Sequence, residues 1–109
     1  MIHAVFERQN GRLCGFRMTG HAGYADAGQD IVCAAVTSAV QYATIMITEQ
    51  FHEPCTEQAD EQDDENLVTV RLTSPEKGQA AAVLEGLCMH LSILSEDFPG
   101  TIAIKIHQI

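Results

Sequence analysis

His21 and Cys33 are the two side chains whose types and placement suggest chemistry. A cysteine thiolate is a nucleophile, and a histidine with its pKa near neutrality can take the thiol proton and later return it to a leaving amine. His21 lies in the stretch GHAGYADAGQD that leads to Cys33, where Gly20, Gly23 and Gly28 open backbone shapes closed to other residues, so a loop can close His21 onto Cys33. Asp30 is an N-cap candidate for the helix beginning IVCAAV, which puts Cys33 in a first turn whose partial positive charge favours a thiolate. Free N–H groups around Cys33 could also face the oxygen of an attacked carbonyl, which is what acyl transfer needs.

The residues alone leave blander readings open. Among Ile31, Val32, Ala34 and Ala35, Cys33 also fits a small buried hydrophobe, and His21 can simply finish a strand. Cys88-Met89-His90 and His52 with Cys55 offer soft ligands, but no Cys-x-x-Cys pair or histidine array accompanies them, so no metal site is predicted. Cys88 and His90 fit the second helix better, Cys88 beside its apolar stripe and His90 on a flank.

The elements that must position this pair follow from periodicity. Ile2 to Arg8 and Leu13 to Thr19 alternate apolar and polar around the turn Gln9-Asn10-Gly11-Arg12, a β-hairpin. DIVCAAVTSAVQYATIMITEQF is a helix apolar on most sides, to be covered by the sheet, the second helix and a partner subunit. His52 to Asn66 carries seven acidic groups and reads as a solvated connection, with Glu53 to Glu65 able to attract a basic peptide. Leu67 to Leu72 is a strand, Ser74-Pro75-Glu76 starts a second helix ending near Phe98-Pro99-Gly100, and TIAIKIHQI is the last strand. The predicted order is ββαβαβ: an α/β, two-layer domain with a mixed four-stranded sheet and two helices.

The 109 residues are enough for one domain and leave no room for a separate cofactor domain, so no cofactor is expected. MIHAVFER carries Glu7 and Arg8 where an export signal would be apolar, and Ile31 to Met46 is shorter than a membrane span. The expectation is a cytoplasmic chain with no membrane partner, its four cysteines (Cys14, Cys33, Cys55, Cys88) free thiols. A net charge of −9 with six Lys and Arg argues against direct nucleic-acid binding and favours a basic peptide.

The stretch GHAGYADAGQDIVCAAVTSAV, with Gly-His-Ala, a short glycine-bearing loop and Asp-Ile-Val-Cys-Ala, resembles the ribosomal-processing cysteine proteases of bacteria. The opening MIHAVFER, the two-helix layout and the length are similar too, although only Gly20 to Ala35 is specific. The resemblance implies a cysteine endopeptidase that removes a short N-terminal extension from the twenty-seventh large-subunit ribosomal protein. It implies catalytic roles for Cys33 and His21, with Asp30 capping the helix, orienting His21, or both. Thr37 stands where many members carry Ser, one turn beyond Cys33. Gly23 and Gly28 would hinge a loop that closes over a peptide. The alternative is a ribosome-assembly module that holds a basic peptide without cutting it.

Overall fold

Alternation of Ile2, Ala4 and Phe6 with His3, Val5 and Glu7 gives the first strand one buried face and one open one. The structure, a computed structural model, describes residues 1–26, 29–60 and 67–109. β1 (Ile2–Gln9) and β2 (Arg12–Thr19) form an antiparallel hairpin. Its turn places Asn10 at φ 53° and Gly11 at φ 79°, the left-handed pair that matches strand twist in a two-residue hairpin. α1 (Ile31–Ile45) continues into a π-helical turn, Met46–Gln50. β3 (Cys55–Asp60), β4 (Leu67–Leu72), α2 (Ala80–Asp97) and β5 (Ile102–Gln108) follow.

The sheet therefore has five strands, ordered β3-β4-β2-β1-β5, one more than the four expected. The extra strand lies in the acidic segment assigned to a solvated connection. Cys55 to Asp60 pairs antiparallel with β4, from Cys55 opposite Leu72 to Asp60 opposite Leu67. An edge strand needs a partner on one side only and tolerates charged, exposed residues, which is why its composition concealed it. Residues 61–66, the remainder of that segment, lie outside the described residues. The mixed character holds: β1 and β5 run parallel, while the other pairs are antiparallel.

Both helices lie over the face that carries Ile2, Ala4, Phe6, Phe16, Met18, Val70 and Leu72. Ala80, Ala81, Leu84, Leu87, Cys88 and Leu91 of α2 join that core, as do Val32, Val36, Ala43 and Ile47 of the α1 run. With its π turn, that run spans Ile31–Gln50, within the predicted helix, and is long and apolar enough to cross a bilayer, which the stretch Ile31 to Met46 was expected not to be. Its buried apolar residues are part of the shared core.

The start of α2 also departs from expectation. Ser74-Pro75-Glu76 lies in a turn, and the helix opens at Ala80, where the Gln79 side chain makes no cap. The cap comes from a distant residue. Glu53 Oε2 accepts the N–H groups of Gln79 at 2.7 Å and Ala80 at 3.1 Å. Gly78, at φ 74°, leaves the room this carboxylate occupies, since a side chain there would collide with it. Two helix-end donors are thereby satisfied from 26 and 27 residues away. Glu53→Ala is expected to lower unfolding stability by about 1 kcal/mol, the usual worth of an N-cap. Urea unfolding checks this, and an unchanged midpoint would show that the contact contributes nothing.

Candidate active site

β2 ends at Thr19, and Gly20 follows at φ 90°. A side chain at Gly20 would collide with the Met1 carbonyl, so glycine lets the chain leave the strand pressed against the N-terminus. This exit carries Ala22 into the core, where it is 3% exposed, and leaves His21 exposed beside it. The Ala22 N–H donates to Cys33 Sγ at 3.3 Å. Two segments separated by the glycine loop therefore meet at the sulfur, which is half-buried in the first turn of α1.

Asp30 organises that junction. Its Oδ1 accepts the N–H groups of Val32 and Cys33, both at 3.0 Å, a standard N-cap. Its Oδ2 accepts the N–H of Tyr24 at 3.0 Å and of Ala25 at 3.4 Å, so one carboxylate holds both the helix start and the loop before it. Hydrogen bonds to the charged form, from Cys33 first and from Tyr24, Ala25 and Val32, hold the Asp30 carboxyl below its usual range against the opposing effect of burial. The helix-capping role open in the sequence is thus filled, with a loop tether that spacing could not reveal. The expected free N–H at Cys33 requires correction, because Asp30 occupies it, and the Ala34 N–H bonds the Asp30 carbonyl at 3.1 Å.

Gly20, His21, Cys33 and Thr37 share the wall of a cavity of about 300 Å³. Met18, Val36, Val40 and Val68 make it largely apolar, while Gln41 and Glu57 add polar groups. In the sequence Glu57 is one charge in the acidic run from Glu53 to Glu65. The alternation of Cys55, Glu57 and Ala59 was its one available signal. Gly23 stands at φ 69° with open space around it, and Gly28 lies outside the described residues. Next to Gly23, the Tyr24 ring packs edge-on against Phe98, centroids 5.3 Å apart.

All four cysteines are free. Burial pushes the thiols of Cys14, Cys55 and Cys88 above their ordinary pKa, which disfavours their thiolates. Cys88 belongs to the core and His90 is exposed on the outer side of α2, as expected of helix residues.

The lowered Asp30 pKa carries a pH dependence. Stability from its charged form is complete above the unfolded value of about 3.9 and is lost as pH falls through the lower folded value. Asp30→Asn retains a capping oxygen without this titration. Denaturant unfolding between about pH 2 and 6 is expected to show a shallower acid loss in Asp30→Asn than in wild type. Parallel curves would remove Asp30 from the account of acid stability.

Comparison with known proteins agrees with this architecture. A family model described as "Cysteine protease Prp" matches residues 1–103. The ribosomal processing cysteine protease Prp of Bacillus subtilis (strain 168) is 31% identical over 113 residues, covering 100% of both chains. The crystal structure of SMU.848 from Streptococcus mutans superposes with a TM-score of 0.87 at 28% identity, covering 100% of this chain and 96% of that one. Prp from S. aureus, solved with a covalently linked product peptide, has the same fold, with a TM-score of 0.87, 20% identity and coverage of 97% and 99%. The chain belongs to the Prp family of ribosomal-processing cysteine proteases.

Proposed function

We propose that this cysteine peptidase uses Cys33 as nucleophile and His21 as general base to remove the N-terminal extension of the twenty-seventh large-subunit ribosomal protein. The observation that carries the assignment is the Ala22 N–H bond to Cys33 Sγ, which brings the residue after His21 onto the sulfur. His21 takes the thiol proton, and the thiolate attacks the scissile carbonyl carbon. A C–S bond forms as the carbonyl π pair moves onto oxygen. Collapse restores the carbonyl and breaks the C–N bond, and the imidazolium protonates the departing amine. Water, deprotonated by His21, then adds to the thioester carbonyl, the C–S bond breaks to release the new C-terminal carboxyl group, and the sulfur takes the proton back from the imidazolium.

The shared cavity supports an apolar substrate side chain beside the scissile bond, and the net charge of −9 supports attraction of a basic ribosomal tail. Such a substrate places the reaction in the cytoplasm, where ribosomal proteins are made. Asp30 sets the cysteine-bearing turn, Thr37 adds a hydroxyl to the cavity wall that bound peptide would meet, and Gly23, at φ 69° in open space, gives the loop room to admit it; Gly28, the second expected hinge, lies outside the described residues.

The same reading includes a homodimer through the outer faces of the helices. A cavity of about 740 Å³ between α1 and α2 has walls that include Ala35, Ala39, Tyr42, Val83 and Leu87, with Tyr42 66% exposed. Ile45 of α1 and Met89 and Ile93 of α2 are also more than half exposed, apolar surface that a second copy would cover. Tyr42→Glu is expected to sediment as a folded monomer where wild type forms a dimer. A monomeric wild type at its highest attainable concentration would contradict the interface.

Catalysis is tested with a synthetic peptide spanning the extension junction. Cys33→Ala should still bind it, while cleavage falls by at least about 10⁴-fold, the scale of losing a catalytic nucleophile. Intact peptide after incubation with wild type would instead favour a binding-only assembly module.

A further inference from the structure

The helix start that holds Cys33 has already used the donors that an oxyanion would need. The N–H groups of Val32 and Cys33 both bond Asp30 Oδ1 at 3.0 Å, and that of Ala34 bonds the Asp30 carbonyl at 3.1 Å. Withdrawing Cys33 N–H would break the cap that sets the turn. Another donor already reaches the reacting atom. The Ala22 N–H lies 3.3 Å from Cys33 Sγ, held by a methyl group packed in the core and by the Gly20 exit from β2.

We infer that the backbone N–H of Ala22 is an oxyanion donor of this enzyme, so that Gly20, His21 and Ala22 deliver the base and the electrostatic stabiliser from one short segment. The inference rests on Cys33 acting as nucleophile. In the resting site the N–H donates to sulfur. When Sγ bonds the carbonyl carbon, one sulfur electron pair becomes the C–S bond and the sulfur loses its negative charge, leaving a poorer acceptor, while a full negative charge develops on an oxygen attached to that same carbon. The donor needs only a small reorientation to exchange a weak acceptor for a strong one. When the tetrahedral intermediate collapses, the oxygen pair re-forms the carbonyl, the amine leaves with the His21 proton, and the thioester remains.

This accounts for three residues in terms of one geometry. Gly20 supplies the φ of 90° and the close approach to Met1. His21 projects the base. At the next position a small residue is required, because its side chain is 3% exposed and must fit the core while its amide faces the cysteine.

The test replaces Ala22 in the full chain with lactic acid, which turns its N–H into an ester oxygen and leaves the methyl group in place. Ala22→Pro is a genetically simpler second variant. Three quantities are compared with wild type: unfolding stability, steady-state cleavage of the junction peptide, and the limiting rate of Cys33 alkylation by iodoacetamide well above the ordinary thiol pKa. Alkylation displaces iodide and forms no oxyanion, so it reports an intact and accessible sulfur. The expected result is a kcat lower by about 100- to 1,000-fold with little change in KM, and an alkylation rate within a few-fold of wild type. A folded ester variant that cleaves within about threefold of wild type overturns the donor assignment. If Ala22→Pro does not fold, the ester variant decides. Cys33→Ala separates the two layers: if it is inactive while the ester variant is fully active, only the donor role falls, whereas cleavage by Cys33→Ala would remove the nucleophile and the donor together.

Discussion

The carboxylate of Asp30 is the interaction on which the site depends, because its two oxygens serve different parts of the chain. One closes the first turn of α1 through Val32 and Cys33, and the other holds the loop at Tyr24 and Ala25. Without the first, the cysteine has no fixed helical frame. Without the second, nothing on this carboxylate relates that frame to the segment carrying His21. A charged oxygen accepting backbone donors makes stronger bonds than a neutral cap would, and the depressed Asp30 pKa expresses the same preference.

The rest of the fold presents the two ends of this tether. β2 leads into the glycine exit and Asp30 caps the start of α1, while α2, packed on β2 and β5 with Leu84, Leu87 and Leu91 buried in the shared core, supplies the common base. β3 and β4 complete the cavity wall with Glu57, Ala59 and Val68. The extra strand therefore contributes to the candidate site as well as to the sheet.

The hairpin, both helices and the last strand were legible because each carries its own period, as in Ile2, Ala4 and Phe6 or Val83, Leu84, Leu87 and Leu91. β3 was not, because an edge strand is stabilised by pairing with Val68 and Val70 and needs no apolar alternation of its own. The true start of α2 was hidden for a related reason: its cap, Glu53, is remote in sequence, and local signals at Ser74-Pro75 pointed to a nearer start. At the site, the Gly-His-Ala and Asp-Ile-Val-Cys-Ala segments were visible by type and spacing. Which amides Asp30 occupies, and which amide faces the sulfur, are facts of three-dimensional arrangement that spacing does not encode.

The proposed function requires that Cys33 alone, among four free thiols, carries the reaction. Progressive alkylation with iodoacetamide, with the label mapped on each cysteine by mass spectrometry and residual peptide cleavage measured at every step, tests it directly. Cys33 is expected to be modified well before Cys14, Cys55 and Cys88, with activity falling in proportion to Cys33 occupancy. Cleavage that persists once Cys33 is fully alkylated would contradict it.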